Sequence, residues 1–95
     1  MKLPLRFEMT TTRADFRRLL PAAVNHAPFV EEDEAFVHRD GERGWRIGLA
    51  SLPKLEIGLI RLERHRVDFD FDGYSLKEID EFMARFEMYF RRGGG

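Results

Sequence analysis

The C-terminal part of the chain places the strongest constraint on the fold, because residues 75–90 have the pattern of an amphipathic helix. Ser75 and Glu78 stand at the spacing of a capping box, in which each side chain binds the other residue's backbone amide. On a helical wheel, the apolar residues that follow fall within an arc of roughly 140°. They are Leu76, Ile79, Phe82, Met83, Phe86 and Phe90. A helix with one apolar face needs a surface to cover, so the chain must supply a second layer.

Two runs of alternating apolar and polar residues can provide that layer. Val67, Phe69 and Phe71 alternate with three aspartates, and Gly73 ends the run. The apolar members of a similar run near the N-terminus are Leu3, Leu5, Phe7 and Met9. Alternation with a period of two is typical of a strand with one covered and one solvated face. Residues 3–9 and 67–71 are therefore predicted strands.

A short helix and a solvated loop are predicted after the first strand. Thr12 is a candidate N-cap, and the apolar residues that follow it at helical spacing are Phe16, Leu19, Leu20, Ala23 and Val24. Pro21 cannot donate a helical hydrogen bond, so we expect the helix to end near Leu20 or to restart at Pro21 as a short turn. The acidic run at residues 31–34 is interpreted as a loop.

The middle of the chain is predicted to form strands joined by short turns. A glycine-containing connection at residues 40–44 separates two β-prone runs and indicates a hairpin. Turns are expected at residues 51–54 and around residues 64–65, on either side of a strand over residues 55–62. The apolar phase of that strand changes near Gly58, which indicates either two covered faces or a β-bulge. The residues expected to share one face after the first hairpin turn are Trp45, Ile47 and Leu49.

These elements predict an α+β fold in the order β-α-β-β-β-β-α. Strands joined by short turns give an antiparallel sheet of about four to five strands, on which the C-terminal amphipathic helix and the short N-terminal helix pack. Residues 1–92 are predicted to form a single α+β domain. Residues 93–95 are expected to be a flexible glycine tail.

Composition narrows the functional classes. The chain has 95 residues and no cysteine, so disulfides and thiolate metal sites are excluded. Its 16 basic and 17 acidic residues give a net charge of −1, without the basic excess that nucleic-acid binding ordinarily requires. The N-terminus lacks an unbroken apolar run, and no stretch is long enough for a membrane span. We expect a soluble cytoplasmic protein with neither a nucleic-acid nor a membrane partner.

One motif resembles a metal site. Residues 68–73 match the opening of an EF-hand loop, but the position that needs a bidentate glutamate is Ile79. An acidic strand face is the plainer interpretation, and a weak cation site formed by Asp72 and Glu78 is the alternative. The histidines also lack the spacing of metal ligands; they are His26, His38 and His65. We predict no metal, no cofactor and no catalytic residue.

The favoured hypothesis is a non-enzymatic protein-interaction or assembly module that forms a homodimer. Small size and abundant aromatic residues make a shared apolar interface a natural source of stability. Met88 falls outside the apolar arc of the C-terminal helix and Tyr89 lies at its edge, so both are candidate interface residues.

The alternative hypothesis is a binding domain for a small anionic ligand or single-stranded nucleic acid. Its candidate residues are Arg39, Arg43, Trp45, Arg46, Arg64 and His65. In that hypothesis Trp45 would stack on a base between two arginines. The structural interpretation is that arginines near residue 64 neutralise the aspartates of the neighbouring strand. A third hypothesis, a small enzyme, would use His65 and Asp68.

Overall fold

The fold consists of a five-stranded antiparallel sheet and two helices, in the predicted order β-α-β-β-β-β-α. The computed structural model describes residues 5–94, with side chains through residue 90. The elements are β1 (Leu5–Thr10), α1 (Arg13–Ala23), β2 (Val30–Glu32), β3 (Ala35–Asp40), β4 (Arg43–Ile57), β5 (Ile60–Asp72) and α2 (Leu76–Gly94). Leu3, part of the predicted first strand, lies outside the described residues. The predicted α+β class is confirmed.

The strands lie in the order β1-β5-β4-β3-β2, so β1 and β2 form the edges. Each neighbouring pair is antiparallel. Side chains alternate between the two faces of a sheet, and the helices cover only one of these faces. We call this covered surface the helix face and the opposite one the outer face.

Aromatic residues dominate the core between the helices and the sheet. Phe16 of α1 stacks on Phe36 of β3, with ring centroids 5.5 Å apart. Phe86 of α2 meets Phe69 of β5 edge-on at 4.8 Å. The shared face predicted after the first hairpin turn is confirmed, since its three residues are all buried: Trp45, Ile47 and Leu49. The core thus joins both helices to the three central strands.

Helix α1 begins as predicted but continues beyond the predicted end. The Asp15 amide donates to the Thr12 hydroxyl at 3.0 Å, which confirms the N-cap. Neither an end near Leu20 nor a restart at Pro21 as a short turn occurs, because α1 is one helix to Ala23 with Pro21 inside it. Burial on both sides of the proline explains this, since Leu20 and Ala23 are fully buried and tertiary packing overrides local propensity.

A Schellman motif closes α1. The His26 amide donates to the Pro21 carbonyl at 2.8 Å, and the Asn25 amide donates to the Ala22 carbonyl at 3.2 Å. Asn25 has a φ of +55°, the left-handed conformation that this motif requires. From α2, the Arg85 guanidinium binds the Ala22 carbonyl at 2.9 Å. The end of α1 is therefore fixed to α2.

The first central hairpin matches its prediction. Asp40 pairs with Arg43 across a two-residue loop, in which Gly41 has a φ of +67°. Glycine at the first loop position is typical of a type II′ hairpin turn.

The acidic run differs from its prediction, because part of residues 31–34 lies in β2 rather than in a loop. Glu31 is held there by Arg17 of α1 through two hydrogen bonds, of 2.8 and 2.9 Å.

Two predicted turns are absent, because β4 and β5 form one long hairpin. β4 continues through residues 51–54, where the pairing shifts by one residue between Leu52 and Leu55. Pro53 lies at this irregularity, one of the few places where a sheet accepts proline. β5 likewise continues through residues 64–65. Gly58 is not at a bulge: with a φ of +60° it opens the hairpin turn between β4 and β5.

Helix α2 confirms the capping box and the apolar arc. The Ser75 amide donates to Glu78 Oε1 at 2.8 Å, and the Glu78 amide donates to the Ser75 hydroxyl at 3.2 Å. The α2 residues buried against the sheet and α1 are Ile79, Phe86 and Phe90. The backbone is helical to Gly94 and Gly95 lies outside the described residues, so the flexible tail stays a prediction.

Candidate functional site

The end of the β4–β5 hairpin projects beyond the rest of the sheet. β1 pairs with β5 only from Arg64 onward, and β3 pairs with β4 only as far as Gly48. Among the described residues, residues 53–63 therefore have no neighbouring strand except each other; we call this segment the arm. At about 3.3 Å per residue, the fifteen residues of β4 span about 50 Å. This agrees with the 47 Å length of the molecule, which is 25 Å by 24 Å in cross-section.

The arm has one aliphatic and one charged face. Leu55 pairs with Leu62, and Ile57 pairs with Ile60. Paired residues in an antiparallel ladder point to the same side, so these four residues form one surface, which we call the aliphatic face. Along β5, Ile60 and Leu62 continue the outer face of the sheet, on which Arg64 also lies.

The aliphatic face is uncovered. Its four residues are 36–59% exposed, and Leu59 at the turn is fully exposed. These five neighbouring aliphatic side chains form a contiguous exposed apolar patch, a feature that often marks an interaction site. A two-stranded ribbon is also marginally stable by itself. Both properties distinguish the arm from the rest of the sheet.

The charged face of the arm is electrically balanced. Glu56 pairs with Arg61 in the strand register, with 3.7 Å between Oε2 and Nε. Lys54 and Glu63 add one charge of each sign near the register shift. The arm therefore carries no net charge.

His65 anchors the base of the arm. It is buried, and its Nδ1 lies 2.8 Å from the Thr11 carbonyl oxygen. A carbonyl only accepts, so Nδ1 carries the hydrogen. Ser51 is its partner across the hairpin, and the two residues line a hollow of about 100 Å³. His65 thus links the long hairpin to the connection between β1 and α1.

The residues of the predicted anionic-ligand site do not form one surface. Arg39, Arg46 and Arg64 lie on the outer face, whereas Arg43, Trp45 and His65 lie on the helix face, with Trp45 and His65 buried. Their role in ligand binding stays a prediction.

The outer-face arginines of that predicted site are partly engaged already. Arg39 pairs with Asp72 at 3.1 Å, and Arg64 pairs with Glu8 at 2.6 Å. Among the described residues, Arg46 has no ion-pair partner; its register neighbour on β5 is Asp70. Of the outer-face aspartates of β5, Asp72 is paired with Arg39 of β3, and Asp68 is paired with Arg6 of β1 and with Arg66 of β5 itself.

The alternative cation site and the enzymatic hypothesis are not supported by the geometry. Arg39 engages Asp72, and Arg43 engages Glu78 at 2.9 Å. Within residues 5–90, no group of three or more potential ligands comes together around a possible metal position. His65 and Asp68 lie on opposite faces of β5, so they do not form a proton-transfer pair.

Arg43, Tyr74 and Glu78 form a cluster where β5 leads into α2, beside a hollow of about 240 Å³. The Arg43 guanidinium carbon lies 3.9 Å from the centre of the Tyr74 ring. Its hydrogen bond to Glu78, together with the Ser75 amide, lowers the pKa of the Glu78 carboxyl to about 2. Burial raises the pKa of the Tyr74 hydroxyl. The charged groups of this cluster bind each other.

Two apolar features lie on α2. Met88 is 48% exposed, whereas Tyr89 is half-buried, with the Arg85 guanidinium 5.0 Å from its ring centre. Their role as interface residues stays a prediction.

A groove of about 340 Å³ separates α2 from the edge strand β1. It is lined by Phe7, Glu8, Met9, Met83, Phe86, Glu87 and Phe90.

The arm is the site that the sequence analysis missed. Lys54–Ile57 and Ile60–Glu63 have mirrored patterns of charged and aliphatic residues around Gly58 and Leu59. Such symmetry around a Gly-X pair is typical of a two-residue hairpin. This mirrored pattern indicates a hairpin, whereas the sequence analysis predicts one strand over residues 55–62.

The fold defines an α+β protein with a projecting two-stranded arm. Comparison of the chain with protein-family models, curated proteins and solved structures finds no match. Within residues 5–94, no helix combines the length and apolar character needed to cross a membrane.

Proposed function

We propose that this protein is a non-enzymatic assembly module that forms a homodimer, with the arm as its contact surface. The observation that carries the proposal is the uncovered aliphatic face. Leu55, Ile57, Ile60 and Leu62 would lie in water in an isolated chain, while the aromatic core is fully covered by the chain's own helices.

The energetics favour association through this surface. Leu59 and the four residues of the aliphatic face together expose the equivalent of about three complete aliphatic side chains. At about 1.5–3 kcal/mol for each side chain, covering them contributes on the order of 5–9 kcal/mol per copy. A dimer gains this twice, against a cost of roughly 4–15 kcal/mol for lost translational and rotational freedom. A dimer is therefore feasible through the arm.

The arm is a better contact surface than the α2 residues that the sequence indicated. Met88 exposes only one apolar side chain, and isolated exposed apolar residues are common on monomers. Tyr89 already packs against Arg85. The arm instead gathers five aliphatic residues within a segment that has little cover from its own chain.

Sedimentation velocity on matched variants tests the proposal. The wild-type chain is expected to sediment as a dimer, and the double variant Ile57→Asp/Ile60→Asp as a folded monomer. Met88→Asp/Tyr89→Asp is the control and should remain dimeric. A monomeric wild-type chain at high micromolar concentration would overturn the proposal. So would dissociation caused by the α2 variant and not by the arm variant.

A further inference from the structure

We infer that two copies associate through their arms alone, with the aliphatic face of one packed on the same face of the other about a two-fold axis. This rests on the proposed function and names its geometry. Two stacked ribbons would form a small four-stranded sandwich outside the two folded bodies.

The shape of the aliphatic face fits this arrangement. Leu55 with Leu62 and Ile57 with Ile60 form two cross-strand pairs that follow each other on one side of the arm. Sheet surfaces of this kind pack face to face with interdigitating side chains. Together with Leu59, the four residues expose the equivalent of about three complete aliphatic side chains per copy, to be set against the roughly 1,000 Å² in total that a specific interface requires.

The charges around the face allow a second copy to approach. The aliphatic face contains no charged residue, and Glu56 and Arg61 point to the opposite side of the arm. Arg64, the nearest charge on the same side, is paired with Glu8 at 2.6 Å. Like-charge contacts are a main obstacle when identical surfaces meet, and here the central surface has none.

The groove between β1 and α2 is the competing receptor for the arm. It is concave and lined by aromatic rings, and two of its lining residues, Glu8 and Glu87, carry carboxylates. An arm inserted into the groove of another copy would make a contact between unlike surfaces, which closes only if the rotation allows it. Contact between two identical faces instead gives a closed dimer. In this arrangement each aliphatic face packs on apolar side chains and not on the carboxylates of the groove.

Isotope-filtered methyl NMR tests this geometry. The chain has four isoleucines: two on the aliphatic face and two in the core, namely Ile47 and Ile79. In a mixture of labelled and unlabelled wild-type copies, the Ile57 and Ile60 methyl groups are expected to show contacts between copies with Leu55 and Leu62. The methyl groups of Ile47 and Ile79 should show contacts only within one copy.

Cross-linking gives a second readout, because the chain contains no cysteine. Single variants Leu55→Cys, Ile57→Cys, Ile60→Cys and Leu62→Cys are treated with a short bismaleimide. At least one is expected to give a covalent dimer, because residues near a two-fold axis meet their own equivalents. The control variant Arg61→Cys, which changes the opposite side of the arm, should not form the covalent dimer.

The outcomes separate the two proposals. A dimer whose arm methyl groups contact Phe7, Met9 or Met83 of the other copy would overturn the like-face geometry but keep the proposed function. A dimer without contacts from the arm would overturn both the geometry and the assigned contact surface. A chain that stays monomeric would overturn the dimer itself.

Discussion

The substitution Ile57→Ala is expected to weaken the association of two copies while leaving the folding of each copy nearly unchanged. The side chain is 59% exposed in the single copy. Full burial of an isoleucine is worth about 1.5–3 kcal/mol, so covering the exposed part contributes about 1–2 kcal/mol in each copy. Ile57→Ala removes most of this twice in a dimer, or about 2–4 kcal/mol. The dissociation constant of the dimer should rise by about 30-fold to several hundred-fold.

The same substitution should leave the folding of each copy nearly unchanged. Ile57 lies in the arm and outside the aromatic core, so we expect a change below about 1 kcal/mol in the free energy of unfolding of the monomer. Sedimentation equilibrium over a dilution series gives the dissociation constant. Urea denaturation at concentrations where the chain is monomeric gives the free energy of unfolding.

Two controls make this prediction refutable. Glu56→Ala changes the neighbouring residue on the opposite face of the arm, where an exposed ion pair contributes little. It should leave the dissociation constant unchanged. Ile47→Ala, in the core, should lower the free energy of unfolding by about 2–5 kcal/mol. If Ile57→Ala and Glu56→Ala give the same dissociation constant, the reasoning about the aliphatic face is wrong.

Two further predictions concern the folded body. Because the folded-state pKa of Glu78 is lowered to about 2, the carboxylate stabilises the fold above its usual pKa of about 4.5, and this contribution is lost as pH falls towards 2. Carboxyl NMR titration should find a midpoint near 2, and Arg43→Gln should raise it; an unchanged midpoint would exclude Arg43 as its main cause. Gly44→Ala should cost about 1–3 kcal/mol in thermal or urea unfolding, because the added Cβ would lie 2.3 Å from the His38 carbonyl oxygen; wild-type stability would show that this backbone contact relaxes freely.

The sequence predicted the elements whose local patterns agree with their tertiary environment. The alternation over Val67, Phe69 and Phe71 and the capping box of α2 each describe an element that is also buried on the expected side. Local preference and packing point to the same answer in these segments. This agreement explains why the fold class could be predicted from the residues.

The prediction failed where contacts distant in sequence override local preference. Pro53 is a turn signal by itself, but pairing with β5 keeps the chain extended across it. Arg64-His65 looks like a polar turn, yet His65 is buried and pairs across the hairpin with Ser51. The residues of the predicted arginine site lie on two faces of the sheet for a simpler reason: residues at odd separations along a strand, such as Arg43 and Arg46, lie on opposite faces.

Amide hydrogen exchange at several protein concentrations tests the central claim most directly, because it needs no substitution. If two arms cover each other, exchange in residues 53–63 should slow as the concentration rises through the dissociation constant. Exchange in the core segment of residues 67–71 should change little. A dimer that forms with no concentration-dependent protection in the arm would contradict the assignment of the arm as the contact surface.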